Sequence, residues 1–180
     1  MKLYLDMDGV LSDFITGVCG WLGVRNPYQP PAVNGAINNW NTPPLVGIKE
    51  EDFFTPCWRT EFWANLPRTR EAGDIMELVA DFKPIVLSSP SGDHDACREG
   101  KTSWLSKHFG EYGLDLITER SKEKYAKGNV LIDDNDDNCE KWIANGGRAF
   151  LVPRPWNCLH RSEYKIEVML RRQLSEWGLR

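Results

Sequence analysis

The stretch LYLDMDGVLSDF, residues 3–14, breaks from an apolar, strand-like run into Asp6, Met7, Asp8 and Gly9. Two carboxylates one residue apart repel each other, and Asn-Gly or Ser-Gly would make the same turn without that cost. Chemistry can justify the pair. A carboxylate at a strand end can attack phosphorus and form an aspartyl-phosphate. A second one nearby can give a proton to the leaving oxygen and later take one from water. The two roles need different protonation states, and like charges held close push the two pKa values apart. Gly9 would let the backbone approach a phosphate with no Cβ in the way. The same letters also build Asx-turns and calcium loops, so the motif alone leaves these readings open.

Spacing disposes of calcium. An EF-hand loop starting at Asp6 needs an oxygen ligand two positions after Asp8, where Val10 stands. The second acidic run, LIDDNDDNCEKW, starts better with Asp133, Asn135 and Asp137. It then has Asn138 where glycine is required and Ala144 where the bidentate glutamate belongs. Its opening, NVLIDDN, is a second apolar strand ending on paired carboxylates, Asp133 and Asp134. Two acidic strand ends side by side are costly unless a cation lies between them. Magnesium suits such a place, because it binds oxygen and takes one or two carboxylates plus water and substrate phosphate. Asp136 and Asp137 read instead as the acidic first turn of a helix.

A third strand-like run, PIVLSSPSG, ends in Ser88 and Ser89, whose hydroxyls and adjacent amides could hold phosphate oxygens or simply cap a turn. A cation is needed to balance the meeting of aspartate and phosphate. Lys122, Lys124 and Lys127 in SKEKYAKGN and Lys101 in GKTSWLSKHFG are the candidates.

The elements that must position these groups alternate. Strand-like runs at 2–5, 84–87, 114–117, 130–132 and 149–152 are separated, for the most part, by helical patterns at 74–82, 96–109 and 138–145, the last stopped by Gly146-Gly147. A final helix is predicted over 162–177. Such alternation predicts a parallel α/β sheet covered on both faces, with ligands beyond the carboxyl ends of the strands. Asp6/Asp8, Ser88/Ser89, Thr118 and Asp133/Asp134 all fall there. Residues 15–66 break the rhythm, being dense in Pro, Gly, Asn and aromatics. They read as a cap inserted after the first strand, with helix candidates at 14–22 and 49–54, and Trp21 and Phe62 assigned to the core.

With 180 residues, 41% hydrophobic and 27% charged, the chain is one globular domain or one domain with an insertion. A net charge of -4 argues against a long nucleic acid as partner and leaves a small phosphorylated molecule open. No apolar run spans a bilayer or forms a signal peptide. Five scattered cysteines without a Cys-x-x-Cys pair suit free thiols in a reducing cytoplasm.

Taken in order, DMDGVL, VLSS, a lysine before the fourth strand and LIDD resemble the four motifs of the haloacid dehalogenase (HAD) superfamily. Within it, DMDGVLSDF, EFWANLP, LSSPS, KTSWLSKHFG and LIDDNDDNCEKWIANGG look like the 5'(3')-deoxyribonucleotidases and their bacterial and phage relatives. The resemblance implies a HAD-like Rossmannoid three-layer α/β/α fold, with core 1–14 and 67–180 and cap 15–66. It implies a Mg2+-dependent phosphomonoesterase working through an aspartyl-phosphate on nucleoside monophosphates. Asp6 would be nucleophile and metal ligand. Asp8 would be general acid/base, with its backbone carbonyl on the metal, Asp133 a further ligand, and Asp134 on a metal-bound water. Ser88 and Ser89 would hold phosphate, as would Lys101. Lys122, four residues before Ala126, would be the motif lysine, with Lys124 the alternative. Dehalogenases lack the acid at position 8, whereas phosphatases keep it. The cap sequence VNGAINNWNTPPLVGIKEEDFF matches no family pattern, so nucleoside contacts do not transfer, although aromatic rings there could stack on a base. The same chemistry on another phosphate ester or a nucleic-acid end, or a silent nucleotide- or protein-binding domain, are the other readings. Intact Asp6, Asp8 and Asp133 speak against the silent one.

Overall fold

Five short strands form one all-parallel sheet: β1 (Leu3–Leu5), β2 (Ile85–Ser88), β3 (Leu116–Thr118), β4 (Val130–Asp133) and β5 (Arg148–Leu151), in the order β3-β2-β1-β4-β5. This computed structural model describes residues 1–179. The strands lie within two residues of the predicted runs at either end. Side-chain alternation divides them between two faces. Tyr4, Leu87 and Leu131 pack with Ala126 and Trp142 on one face. Leu3, Leu5, Val86, Val130 and Ile132 join the larger cluster on the other.

The helices are α1 (Phe14–Leu22), α2 (Thr42–Leu45), α3 (Glu50–Phe53), α4 (Thr60–Ala64), α5 (Ala72–Val79), α6 (His94–Phe109), α7 (Asp136–Ala144) and α8 (Ile166–Glu176). Side-chain caps start three of them. Asp13 accepts from Thr16 N, Asp93 from Ala96 N and Asn135 from Asn138 N. Asp136 and Asp137 form the acidic first turn of α7, as their sequence predicts. The pattern at 74–82 resolves into α5 and a 3-10 turn over Ala80–Phe82, stopped by Lys83 in the left-handed region. The last helix starts four residues later than predicted, at Ile166, after Lys165 in an extended N-cap conformation. Among the described residues, no helix is long and apolar enough to cross a membrane.

Register brings the acidic strand ends together. Leu5 pairs with Ile132 across β1 and β4, so Asp6 and Asp133 emerge side by side, and Asp6 N donates to Ile132 O at 2.8 Å. On the other flank Leu5 pairs with Val86, which brings Ser88 to the same edge. The crossovers diverge at β1, leaving the crevice that ligands occupy in such sheets.

The segment 15–66 contains more structure than its composition suggests, with α2, α4 and a 3-10 turn over Thr55–Trp58 beside the expected helices. Its Phe53, Cys57, Phe62 and Trp63 belong to the same apolar cluster as the sheet. Helix α4 lies hard against α6, since a Cβ on Gly100 would come within 2.5 Å of Thr60 O and Trp63 Cβ. Trp21 corrects an expectation. It is 49% exposed, resting edge-on against Phe62 rather than inside the core, because α1 turns that face outward.

Candidate active site

Asp6 follows the last residue of β1 and is 7% exposed, while Asp133 and Asp134, at the end of β4, are fully buried. One oxygen from each of the three lies within 4.8 Å of the others. Lys122, from the 3-10 turn Lys122–Tyr125, reaches under this cluster. Its Nζ stands 2.7 Å from Asp6 Oδ1 and 2.7 Å from Asp133 Oδ2. Only the second contact is aligned as a hydrogen bond, so Asp6 Oδ1 is buried with an ion-pair neighbour and no hydrogen bond. Lys124 points away, 59% exposed and paired with Glu119 at 2.9 Å.

Asp8 turns its carboxylate to the other flank. Its Oδ1 accepts from Ser12 Oγ at 2.9 Å and its Oδ2 from Lys101 Nζ at 2.5 Å. Lys101 is fully buried. Its ammonium also donates to Ser88 Oγ at 2.7 Å and Ser89 O at 3.2 Å, and lies 4.5 Å from the centre of the Trp63 ring. Ser88 is buried and Ser89 half-buried. Eight of the sequence-nominated residues thus gather at one end of the sheet, with Asp6, Asp133, Asp134 and Lys122 on one side and Asp8, Ser88, Ser89 and Lys101 on the other.

Gly9 has a geometric reason to lack a side chain. Its φ is +83°, and a Cβ there would fall 2.2 Å from Asp134 Oδ2. The bare Cα makes room for the Asp134 carboxylate.

Several residues at the site carry no local signal in the sequence. Asn138, on α7, donates through Nδ2 to both Asp133 oxygens at 3.3 and 3.1 Å. Trp156 donates through its indole N–H to Asp134 Oδ2 at 2.7 Å, and Asn157 Nδ2 donates to the Asp134 carbonyl at 2.9 Å. Arg154 donates through Nε to Gly9 O at 2.6 Å and pairs with Glu71 at 3.0 Å. Arg154, Trp156 and Asn157 come from the loop after β5, whereas Asn138 lies in the first turn of α7, five residues past Asp133. The dipeptide Trp156-Asn157 after β5 is the only hint, a large ring and an amide in a loop otherwise rich in proline.

The electrostatics follow from burial. Desolvation raises Asp6 to about 7; Lys122 pulls it down, while Asp133 and Asp8 push it up. Asp134 is raised well above the ordinary carboxylate range, first by burial and then by Asp133 and Asp6. Burial alone would lower Lys122, but Asp133 and Asp6 more than offset it, and its pKa lies above that of an ordinary lysine. With all carboxylates ionised, Asp6, Asp8, Asp133 and Asp134 carry four negative charges against the two of Lys101 and Lys122. A divalent cation would balance the other two. The all-oxygen donor set of three clustered carboxylates fits a hard ion such as Mg2+.

A cavity of about 270 Å³ opens beside Gly9, between Tyr28, Arg154 and Trp156. A larger one, about 750 Å³, runs along α6 and the edge strand β3 past Arg98, Phe109 and Leu116. None of the four aspartates lines that groove, and its size gives it no part in their chemistry.

The sequence is similar to curated proteins over most of its length. It is 26% identical over 146 residues to the human mitochondrial 5'(3')-deoxyribonucleotidase, covering 76% of this chain and 63% of that protein. It is 23% identical over 144 residues to the human cytosolic-type 5'(3')-deoxyribonucleotidase, covering 76% of this chain and 71% of that one. The chain thus spans less than two thirds of the mitochondrial enzyme's length. Among solved structures, an L-2-haloacid dehalogenase superposes with a TM-score of 0.54 at 14% identity, over 96% of this chain and 98% of that one. The L-2-haloacid dehalogenase of Xanthobacter autotrophicus gives 0.50 at 13%, over 97% and 82%. At such identities they show a shared fold and nothing more. The family model of the "5' nucleotidase, deoxy (Pyrimidine), cytosolic type C protein" matches residues 1–169, and the chain belongs to that family, on a HAD-like α/β fold.

Proposed function

We propose that the chain is a Mg2+-dependent phosphomonoesterase that removes phosphate from deoxyribonucleoside or ribonucleoside monophosphates through an aspartyl-phosphate. The observation that carries this reading is the division of four carboxylates between two lysines. Asp6, Asp133 and Asp134 gather around Lys122 on one flank, while Asp8 stands apart on Lys101 and Ser12. That division gives a nucleophile and an acid separate electrostatic surroundings, which is what the two roles require. The names of the curated relatives supply the nucleotide class.

In this mechanism Asp6 attacks phosphorus in line, the bond to the ester oxygen breaks, and Asp8 delivers its proton to that oxygen. Asp8, now a carboxylate, takes a proton from water as the water attacks phosphorus. Inorganic phosphate leaves and Asp6 is restored. Ser88, the backbone around Ser89, Lys101 and Lys122 hold and neutralise the phosphoryl oxygens. Mg2+, held by Asp6, Asp133 and Asp134 with the Asp8 carbonyl, would supply electrostatic stabilisation of the transferring group. The segment 15–66 acts as the cap that excludes bulk water. The unpaired thiols support a reducing, cytoplasmic setting.

Phosphate release from a panel of ribo- and deoxyribonucleoside monophosphates, sugar phosphates and a 3'-phosphorylated oligonucleotide, with Mg2+ and with EDTA, tests the reading. Metal-dependent release favouring one nucleotide class, abolished in a folded Asp6→Asn variant, is expected. Undiminished turnover by Asp6→Asn at unchanged melting temperature would remove Asp6 as nucleophile. Release from sugar phosphates alone would remove the nucleotide.

A further inference from the structure

Asp134 is held from three directions. The Trp156 indole N–H donates to its Oδ2 at 2.7 Å, Asn157 Nδ2 donates to its carbonyl at 2.9 Å, and the bare Cα of Gly9 closes on the same carboxylate. Both Trp156 and Asn157 are buried, and Asn157 Nδ2 is itself tied to Val152 O at 2.7 Å at the end of β5. The indole is fixed in turn by rings from the inserted segment. Tyr28 packs on it edge-to-face at 5.1 Å and Trp40 at 5.6 Å. The Tyr28 hydroxyl donates to Asn39 O at 2.6 Å and meets Thr42 Oγ1 at 3.0 Å.

We infer that Trp156 is a positioning residue for the cation. Its N–H anchors Oδ2 of Asp134, a carboxylate that has one oxygen within 4.8 Å of Asp6 and Asp133 oxygens, while Tyr28 and Trp40 keep the indole in the orientation that does so. Groups that orient a metal carboxylate from outside are worth roughly 10–100-fold in metal affinity. A buried carboxylate without this donor keeps an unsatisfied oxygen and loses the contact that fixes its plane. The inserted segment thereby sets the metal affinity of a site to which it contributes no ligand. This rests on the reading of Asp6, Asp133 and Asp134 as a cation site.

The test compares Trp156→Phe, which keeps a ring for Tyr28 and Trp40 but removes the N–H, with Trp142→Phe. Trp142 is an equally buried indole that donates to Asn129 O on the other face of the sheet. Mg2+ affinity is measured by calorimetry on EDTA-stripped, dialysed protein, and melting temperature is measured alongside. Expected are a Kd raised by about tenfold or more in Trp156→Phe and a Kd unchanged within about twofold in Trp142→Phe, at comparable losses of stability. Turnover of Trp156→Phe should recover at high Mg2+. A Trp156→Phe Kd within twofold of wild type, or an equal weakening by Trp142→Phe, overturns the inference and leaves the cation site standing. A wild-type protein that takes up no Mg2+ overturns both. Should Trp156→Phe fail to fold, wild-type protein labelled with 15N at its eight tryptophans answers instead. Saturable movement of an indole N–H signal with Mg2+ supports the inference, and eight unmoved signals overturn it.

Discussion

Lys101 Nζ lies 2.5 Å from Asp8 Oδ2, and the ammonium that makes this contact is wholly buried. Its remaining donors go to Ser88 Oγ and Ser89 O, so one lysine ties the acid after β1 to the end of β2. Lys101→Met removes the buried ammonium on that flank, leaving Asp8 with Ser12 alone and Ser88 Oγ without its donor. Breaking a buried pair from one side costs about 3–5 kcal/mol. Turnover should fall by about 100-fold or more, the scale of one lost transition-state donor. Lys101→Arg should not restore it, because a planar guanidinium does not reproduce a three-way tetrahedral donor under the Trp63 ring. Urea denaturation with phosphate-release kinetics measures both effects. Wild-type turnover by Lys101→Met would dissolve the link between this lysine and the phosphate.

Gly9→Ala puts a methyl group where Asp134 now lies. The backbone at φ +83° adds strain of about 1–2 kcal/mol for any residue with a Cβ. The 2.2 Å approach to Asp134 Oδ2 cannot be accommodated without moving that carboxylate off the indole. A lowered melting temperature together with at least a tenfold higher Mg2+ concentration for half-maximal turnover is expected. If the melting temperature drops while the Mg2+ requirement stays put, the glycine serves only its turn.

Much of this site is legible in the sequence because strand-end acids announce themselves. Asp6, Asp133 and Asp134 each interrupt a run that burial would otherwise keep apolar, and the register Leu5 to Ile132 then makes neighbours of distant segments. Lys122 and Lys124 are two residues apart and chemically identical. The resemblance favours Lys122 for its spacing to Ala126, and the structure shows where each goes: Lys122 to Asp6 and Asp133, Lys124 to Glu119. Trp156, Asn157 and Arg154 are invisible for a different reason. Their partners are reached through folding, and an indole donor in a loop looks like any other core ring. Within residues 15–66, α2 and α4 escaped reading because helices of four or five residues have little periodicity to detect.

Gly100 lets α4 approach α6 until Trp63 sits beneath Lys101. Gly100→Ala would set a methyl carbon 2.5 Å from Thr60 O and from Trp63 Cβ. Overpacking of this kind costs about 1–3 kcal/mol. Backbone on one side and a tryptophan stem on the other leave little to yield, so the upper half of that range is expected. Because the ring carrying Lys101 must shift as well, kcat should fall with little change in Mg2+ affinity, the reverse of the Gly9→Ala pattern. Chemical denaturation and Mg2+ titrations of turnover distinguish the two. A Gly100→Ala protein as stable as wild type would mean that α4 slides freely on α6.

Removal of the metal should make stability depend on pH in a defined direction. Burial raises Asp6 to about 7 and carries Asp134 well above the ordinary range. Between the unfolded value near 4 and the folded value near 7, the folded chain therefore holds protons that the unfolded chain has released. With more protons bound in the native state, the free energy of unfolding falls as pH rises through that window. In EDTA this contribution favours pH 5 over pH 7.5, since at the higher pH the carboxylates are charged, buried and short of a cation. Mg2+ competes with those protons, so the rise in melting temperature that it produces should be larger at pH 7.5 than at pH 5, by several degrees. Asp6→Asn removes one of the titrating groups and should flatten the metal-free profile. Differential scanning fluorimetry at both pH values, with EDTA and with Mg2+, makes the measurement. A Mg2+ shift that is equal at the two pH values would mean that the cation and the protons do not share these carboxylates.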